Sequence, residues 1–320
     1  MSVLAFVKNW EGKFKKSAYE LVSYGRALAD SMNEQLVVVS IGVVSMDELE
    51  TFGEYGADKI IYINDSNLEY FRSRAYAETL NQVVLKESSG VILMTDSLSG
   101  KSLAPRLSVK LKAGMVSAVI NQPVSFEPFI VSKSVFSGKA RAKIRIESAI
   151  KILTISKNSF GIKVNKREPV YEEYKPRIEE RLLTMRLKSV DKYTSEVELA
   201  DADIVVSGGR GMQGPHNWNL LEDLAAEAGA ALSCSRPVAD EGWRPPQEHV
   251  GQTGKVISPN VYMAFGISGA IQHIAGVSGS KCIVAINTDP EAPVFNYATY
   301  GIVGDAMEIL PKLKEAFKKL

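Results

Sequence analysis

The 320-residue sequence has few of the residues on which several kinds of functional site depend. It contains 2 cysteines and 3 histidines, and none of them lies near a carboxylate cluster at metal-ligand spacing; His216 and His249 are isolated. The sequence also lacks a Gly-x-Ser-x-Gly elbow, a Walker A lysine motif and paired catalytic carboxylates. We therefore expect no metal ion, no catalytic residue and no ATPase site.

Long apolar runs and a strong charge of one sign are missing as well. No apolar run approaches the ~18 residues of a transmembrane helix, and no targeting peptide precedes the first apolar segment, Val3–Val7. The formal net charge of +1 argues against nucleic acid as a partner. Cys234 and Cys282 lie in apolar runs and are expected to be free thiols of a reducing compartment. These features predict a cytoplasmic protein that does not span a membrane.

The first half of the chain alternates between strand and helix patterns. Continuous apolar runs such as Gln35–Ile41 are typical of strands covered on both faces, and amphipathic segments such as Ser17–Met32 lie between them. Repeated β-α-β units favour a doubly wound, mostly parallel sheet. Short β runs after residue 116 predict an antiparallel extension that includes Phe129–Val135 and Ile150–Ile155.

The middle of the chain has a weaker pattern. Lys163–Arg181 is charged and contains two prolines, and it predicts either an exposed excursion or an arm that grips a partner. A second series of strands and helices begins at Asp203-Ile-Val-Val206. We therefore expect an α/β protein with two doubly wound, mostly parallel-sheet domains, residues 1–195 and residues 196–320.

Four glycine-rich or polar segments follow within 70 residues. They are Ser207–Gly211, Cys234–Arg236, Val250–Lys255 and Gly266–His273. The first segment, extended to Gly214, matches the dinucleotide-binding motif G-x-G-x-x-G after a strand. The next strand ends at Arg236 and lacks the acidic residue that would hold a ribose. This absence disfavours a plain NAD-dependent dehydrogenase. The last segment enters a helix that Ser268 is expected to cap, and the amide groups at such a helix start bind anions. Any one segment fits a tight turn, whereas four together predict one large nucleotide cofactor.

Two residues have defined possible roles toward a redox cofactor. A guanidinium about 4 Å from a flavin, at an effective dielectric constant of about 20, stabilises the charge of the reduced ring by about 4 kcal/mol before desolvation; Arg236 is either this cation or a surface residue of a turn. His273, on the apolar helix Ala270–Gly276, is either a structural residue or a donor to a flavin carbonyl. Asn287 and Asp305 follow later strands and could hold the adenosine end, although Asn287 fits a plain turn residue equally well.

Six motifs occur in the order typical of one protein family. They are Ser-Gly-Gly-Arg-Gly-Met (207–212), Ser-Arg-Pro-Val-Ala-Asp (235–240), Val-Gly-Gln-Thr-Gly-Lys (250–255), Gly-Ile-Ser-Gly-Ala-Ile-Gln-His (266–273), Ile-Asn-Thr-Asp-Pro-Glu-Ala-Pro-Val-Phe (286–295) and Tyr-Gly-Ile-Val-Gly-Asp (300–305). With these motifs the chain resembles the alpha subunit of electron-transfer flavoproteins. The resemblance is strong over residues 200–320 and looser over residues 1–190, where it rests on Ser99–Arg106 and the alternation of strands and helices.

The resemblance implies an electron carrier without a substrate-turnover site of its own. Its C-terminal, Rossmann-like domain would bind FAD, and the beta subunit of the heterodimer would hold AMP or a second FAD. Electrons would come from acyl-CoA or other dehydrogenases of fatty acid β-oxidation and pass to a quinone oxidoreductase. Because mitochondrial members carry a transit peptide, we expect a bacterial protein. The alternatives are a subunit of an electron-bifurcating, NADH-linked flavoprotein and a non-redox, nucleotide-binding regulatory subunit.

The resemblance also implies which residues contact FAD. Arg210 would contact the adenosine-diphosphate portion, while Ser235 and Arg236 would face the isoalloxazine. Asn287 and Asp305 would hold the adenosine end. One group of contacts would surround the flavin, with Thr253 near N5: Val250, Gly251, Gln252 and Thr253. A second group would run from the pyrophosphate to the ring, with His273 near the O2 carbonyl: Ser268, Gly269, Ala270, Ile271, Gln272 and His273.

Overall fold

The chain forms two compact units, each built around its own sheet. A computed structural model describes residues 1–136, 138, 140–185, 187–190 and 199–319. The first unit comprises Met1–Val135 and Ala140–Val190, and the second comprises Phe136–Lys139 and Asp191–Leu320. The domain boundary expected between residues 195 and 196 lies outside the described residues. Both sheets are mostly or wholly parallel, which confirms the expected α/β class.

The first unit has a mixed sheet with a long parallel part. Its strands are β1 (Ser2–Trp10), β2 (Lys13–Phe14), β3 (Gln35–Ile41), β4 (Lys59–Ile63), β5 (Ser89–Thr95), β6 (Gly114–Val119), β7 (Ser125–Phe126), β8 (Phe129–Val135), β9 (Ala140–Ile146), β10 (Lys151–Ile155) and β11 (Val170–Glu173). Its helices are α1 (Lys16–Met32), α2 (Met46–Glu50), α3 (Ser73–Lys86) and α4 (Leu98–Leu111). The order is β11-β4-β3-β1-β5-β10-β6-β8-β7, with β2 paired to β1 and β9 to β8. Pairing is parallel from β11 to β6 and antiparallel elsewhere.

Helices cover both faces of this sheet because the residues of its central strands alternate between two cores. On β1, Val3, Ala5 and Val7 pack in a core with residues of α1. Leu4 and Phe6 face the other way and pack with residues of α3 and α4. Both faces of the strand are therefore apolar, as expected for a strand of a doubly wound sheet.

The prediction of an antiparallel extension is correct for Phe129–Val135 and wrong for Ile150–Ile155. The first segment forms β8 and pairs antiparallel with β9. The second forms β10, which lies between β5 and β6 and is parallel to both. Ile152 and Leu153 are fully buried on opposite faces. The chain leaves the sheet as a hairpin and then returns to its centre, so nearness to antiparallel strands in the sequence was misleading.

The charged segment Lys163–Arg181 is mostly exposed, as expected, but it runs along its own unit instead of leaving it. It contributes β11, which pairs parallel with β4 at the sheet edge. Before this strand, the amide of Arg167 donates to the carbonyl oxygen of Gly53 over 2.8 Å. Within it, the carboxylate of Glu172 lies 2.9 Å from Nζ of Lys59. The charges of the segment therefore pair partly with the sheet beneath it.

The second unit contains a sheet whose strands are all parallel. Its strands are β12 (Ile204–Gly208), β13 (Ala231–Cys234), β14 (Val261–Phe265), β15 (Cys282–Asn287) and β16 (Tyr300–Val303), and its helices are α5 (Asn219–Ala228), α6 (Arg236–Asp240), α7 (Ile271–Val277) and α8 (Ala306–Phe317). The strand order is β13-β12-β14-β15-β16. Residues of α5 and α8 share one core with the sheet, and residues of α7 share the core on the other face. This unit is therefore doubly wound as well.

One carboxylate oxygen of Asp58 accepts hydrogen bonds from two parts of the first unit. That oxygen accepts from Nη1 of Arg26 over 2.6 Å and from the amide of Leu36 over 2.8 Å. Arg26 is only 5% exposed and also donates to the carbonyl oxygens of Glu34 and Gly56. The carboxylate thus neutralises a buried cation.

We expect Asp58→Ala to lower the free energy of unfolding of the first unit by about 2 kcal/mol, because it leaves a buried guanidinium with one carboxylate fewer. The matched control is Glu179→Ala, which removes an ion pair with Arg181 in which both side chains are exposed. That change should have a much smaller effect, because water screens an exposed ion pair. Urea unfolding followed by circular dichroism measures both, and equal effects of the two variants would contradict the assigned role of Asp58.

Candidate functional site

The carboxyl ends of the five parallel strands in the second unit share one edge of the sheet. The chain begins at β12, adds β13 on one side and then adds β14 on the other. Ligands of such sheets bind outside the carboxyl ends of the strands, at the point where the strand order reverses. This point lies between β12 and β14, which are followed by Arg210 and by Ser268–His273. Two of the expected cofactor segments therefore flank it.

The loops after β12 and β14 are in direct backbone contact. The amide of Gly209 donates to the carbonyl oxygen of Phe265, and that of Gly211 donates to the carbonyl oxygen of Gly266, over 2.9 and 3.0 Å. A Cβ atom on Gly209 would lie 2.2 Å from the carbonyl oxygen of Gly266. The first two glycines of the G-x-G-x-x-G match, Gly209 and Gly211, thus permit this close packing.

The end of β13 presents Ser235 and Arg236. Ser235 is buried, and its amide donates to the carbonyl oxygen of Gly208 over 3.0 Å. The side chain of Arg236 is 61% exposed, with Nη1 3.4 Å from Oγ1 of Thr253 and Nε 3.3 Å from a carboxylate oxygen of Asp240. The structure therefore brings Arg236 and Thr253 together, as the cofactor hypothesis requires. It also adds Asp240, an anion to which the sequence analysis gave no role.

The loop at residues 250–255 connects this strand end to α7. The amide of Val250 donates to the carbonyl oxygen of Cys234 over 3.0 Å, and that of Gln252 donates to the carbonyl oxygen of Gln272 over 2.7 Å. A Cβ atom on Gly276 would lie 2.5 Å from Cα of Gly251, so α7 and the loop touch backbone to backbone. Val250 and Gly251 are buried, while Gln252 and Thr253 are exposed. The loop therefore offers its polar side chains at the edge.

The prediction that Ser268 caps a helix is wrong. Helix α7 begins at Ile271, and the N-cap position belongs to Ala270, whose side chain cannot accept a hydrogen bond. Gly269, with φ +82°, turns the chain between Ser268 and the helix. The carbonyl oxygen of Ser268 instead accepts from the amide of Val294 over 3.0 Å. The side chains of four expected contacts remain exposed here: Ser268, Ala270, Ile271 and Gln272.

His273 points into the unit. It is 8% exposed, and its Nε2 atom lies 2.7 Å from the hydroxyl oxygen of Tyr262, which is also buried. Burial and the nearby His249 lower the pKa of His273 to about 4, so its ring is neutral at pH 7. Its Nδ1 atom is buried and lacks a hydrogen-bond partner among the residues that the structure describes. The ring therefore has one nitrogen engaged by protein and one available.

Two residues near His273, namely His249 and Tyr262, were given no role by the sequence analysis. The ring of His249 fills the space beside Gly254, where a Cβ atom would lie 2.8 Å from Nδ1. Partial burial, followed by the charge of Arg236, lowers its pKa, whereas Asp240 opposes this shift. His249 looked isolated because its neighbours come from other parts of the chain. Tyr262 looked like one apolar residue of a strand.

Asn287 and Asp305 lie at the ends of β15 and β16, on the other side of the switch point from Arg236. The Nδ2 atom of Asn287 donates to the carbonyl oxygen of Ile267 over 3.0 Å. The carboxylate of Asp305 accepts from the amide of Met307 over 2.9 Å and caps α8. Each side chain thus holds a loop or a helix start at the edge.

Two other features are absent from the described part of the chain. It contains no group of three or more His, Cys, Asp or Glu residues that could hold a metal ion, and no helix long and apolar enough to cross a membrane. Cys234 and Cys282 are free. Burial raises the pKa of the Cys234 thiol to about 12, so this thiol is a packing residue.

Comparisons with known proteins agree with this arrangement. Residues 198–278 match the model of the electron transfer flavoprotein FAD-binding domain, and residues 3–181 match the model of the electron transfer flavoprotein domain. The first match contains the segments after β12, β13 and β14 and the loop at residues 250–255. The two matches together span most of the chain.

Full-length relatives give the same result. The chain is 35% identical to the electron transfer flavoprotein subunit alpha of Syntrophomonas wolfei over 98% of both chains, and 34% identical to that of Bacillus subtilis over 97% of this chain and 95% of the other. It is 31% identical to the acryloyl-CoA reductase electron transfer subunit beta of Anaerotignum propionicum over 99% of this chain and 95% of the other. The chain therefore belongs to the electron transfer flavoprotein family, as an alpha subunit with an FAD-binding domain.

Proposed function

We propose that this chain binds FAD along the carboxyl edge of its second sheet and works with a beta subunit as an electron carrier of the bacterial cytoplasm. One observation supports this most directly: the segments after β12, β13 and β14 meet at the switch point of a domain that matches an FAD-binding model. The residues proposed to hold FAD are Arg210, Ser235, Arg236, Val250, Gly251, Gln252, Thr253, Ser268, Gly269, Ala270, Ile271, Gln272, His273, Asn287 and Asp305. FAD, when bound, supplies the redox chemistry, and the protein binds it, orients it and sets its electrostatic environment.

The chemistry of this edge suits a flavin dinucleotide. An exposed guanidinium lies beside an exposed threonine hydroxyl at the Arg236 end, and the buried Nδ1 atom of His273 lacks a partner among the described residues. Arg210 is exposed next to the switch point, where the diphosphate is expected. A guanidinium and neutral hydrogen-bonding groups near the ring, and a second cation near the phosphates, match the two ends of FAD.

The proposed electron donors are dehydrogenases, with acyl-CoA dehydrogenases first among them, and the proposed acceptor is a quinone oxidoreductase. The relative named as an electron transfer subunit of an acryloyl-CoA reductase supports a flavoprotein that acts on CoA esters as the partner. It also supports a second assignment, in which electrons reach a CoA-ester reductase. The beta subunit is proposed to hold AMP in the first assignment, and a second FAD if the pair is electron-bifurcating and NADH-linked.

We expect the chain, co-expressed with its beta subunit, to purify as a yellow heterodimer whose flavin is reduced by dithionite and reoxidised in air. Visible absorption follows the redox change, and acid extraction gives the number of FAD molecules per heterodimer. One FAD supports the simple carrier and two support the bifurcating form. A colourless heterodimer that takes up no added FAD would contradict the proposal and favour the non-redox regulatory alternative.

Arg236 and Asp240 should shift the flavin potential in opposite directions. A unit charge about 4 Å from the ring contributes about 1 kcal/mol in a water-like dielectric, or about 40 mV for one electron. This lower figure suits Arg236, because its side chain is 61% exposed and paired with Asp240. We expect Arg236→Ala to lower the potential by about 40 mV and Asp240→Asn to raise it by about 20 mV or more.

Potentiometric titration measures both shifts. Arg236→Lys is the control that keeps the charge, and its potential should stay within about 20 mV of the wild type. Raising the salt concentration should shrink both shifts because these groups are solvent-exposed. Shifts of the same sign in Arg236→Ala and Asp240→Asn would contradict an electrostatic role for this pair.

Arg210 should affect the affinity for FAD more than its potential, because the adenosine-diphosphate portion lies away from the ring. Loss of one charge-assisted contact costs about 1.5–3 kcal/mol, so Arg210→Ala should weaken FAD binding at least about tenfold. Lys281→Ala is the matched control, since Lys281 is exposed and precedes β15 at the opposite edge of the sheet. Fluorescence titration of the deflavinated heterodimer with FAD measures both, and equal affinities for the two variants would exclude Arg210 from the site.

A further inference from the structure

Tyr262 connects the interior of the second unit to His273. It is the second residue of β14 and is 1% exposed. Its hydroxyl oxygen lies 2.7 Å from Nε2 of His273, and the two ring planes are inclined by 45°. A phenol and a neutral imidazole can share this hydrogen bond in either direction. The groups next to the Tyr262 hydroxyl determine whether Tyr262 or His273 donates the proton.

Two buried serines lie beside the same phenol oxygen. Ser207 on β12 and Ser233 on β13 are register partners, and both are fully buried. Tyr262 pairs with Val205, two residues before Ser207, so its side chain shares a face of the sheet with both serines, and both oppose the rise in its pKa that burial causes. Neither buried hydroxyl forms a hydrogen bond to a group within the described ranges, so each lacks an acceptor for its proton there. Both serines are therefore best satisfied by donating to Tyr262, whose oxygen has two lone pairs.

This arrangement determines where the phenol proton goes. When both lone pairs of the Tyr262 oxygen accept from serines, its own proton points to Nε2 of His273. Nε2 then accepts, and the single ring proton of the neutral imidazole is on Nδ1. The neighbours of the phenol oxygen therefore favour this tautomer.

We propose that the hydroxyl of Tyr262, oriented by the two serines, fixes His273 in the neutral tautomer with its proton on Nδ1. The ring then offers an uncharged N–H donor beneath the loop at residues 250–253. Tyr262 is thus a positioning residue that acts through His273. Only the acceptor, a carbonyl of the isoalloxazine, rests on the proposed function; the tautomer itself is a property of the protein.

The charged and titratable groups around the ring support a neutral state. His249, on the loop, and burial both disfavour a charged His273. Arg236 and Asp240 act on His249. Cys234, at the end of β13, acts on Tyr262 and keeps its proton because burial raises its pKa to about 12. None of these groups gives the ring a carboxylate partner that would hold it as a cation.

Nitrogen-15 NMR of the heterodimer, recorded with FAD and after its removal, tests the proposal. The chain has 3 histidines, so His216→Gln and His249→Gln variants assign the signals of His273. We expect a protonated Nδ1 and an unprotonated Nε2, with no titration of this ring between pH 5.5 and pH 8. A proton on Nε2, or a charged ring in this range, would overturn the proposal.

Tyr262→Phe removes the donor to Nε2 and should raise the pKa of His273 above its value of about 4, because that hydrogen bond stabilises the neutral ring. Part of the proton should also move to Nε2. The matched control is Tyr76→Phe in the first unit, which removes another buried hydroxyl with one hydrogen bond, to the carbonyl oxygen of Leu68. This control should leave the His273 signals unchanged. Unchanged His273 signals in Tyr262→Phe would contradict the proposed role.

A second variant keeps the test decisive if Tyr262→Phe does not fold. The double change Ser207→Ala and Ser233→Ala removes both donors to the phenol oxygen, which can then accept from Nε2–H. We expect the fraction with the proton on Nε2 to rise, and no change would overturn the proposal. Failure of the proposed function gives a different result, namely a protein that binds no FAD but still has the proton on Nδ1. A flavin-loaded protein with the proton on Nε2 contradicts the present inference alone.

Discussion

The backbone contact between the loops after β12 and β14 is the constraint on which the site depends. Gly209 can approach Gly266 because neither residue has a side chain, and a Cβ atom at Gly209 would overlap the facing carbonyl oxygen. This contact closes the gap between two parallel strands at the point where the strand order reverses. The segments after the strands must then continue outward along the edge. The close contact between the two loops therefore leaves their exposed polar side chains along one edge, where a long cofactor can lie.

The polar groups of this edge divide their roles by burial. Arg236 is exposed and partly neutralised by Asp240, so its charge acts through solvent and is modest. His273 is buried and uncharged, so its contribution is directional. A cofactor that gains electrons at such an edge meets one screened cation and one oriented dipole. In the proposed site, the buried ring of His273 is neutral at pH 7, so it would stabilise added charge without exchanging a proton.

The sequence predicted the fold class and most strands because continuous apolar runs and amphipathic helices identify buried parallel sheets. It also predicted the segments of the candidate site, which follow from strand ends. Two sequence predictions failed, the antiparallel pairing of Ile150–Ile155 and the helix cap at Ser268. In the structure β10 joins the centre of the sheet after a hairpin, and Gly269 turns Ser268 away from α7. Asp240 was given no role, although its i,i+4 spacing from Arg236 could have indicated the pair. His249 and Tyr262 were given no role because their important neighbours are distant in the chain. Periodicity and motif spacing contain no such information.

The central place of β10 also has a consequence for how the protein is made. The strand pairs with β5 on one side and β6 on the other, so these two strands cannot be joined into one sheet until residue 155 has been synthesised. Until then, the nascent chain has two unpaired parallel edges with apolar faces, which other chains can pair with. The non-local pairing also implies slow folding. Ribosome-associated chaperones that shield strand edges are therefore of most use to this protein during the translation of its first half.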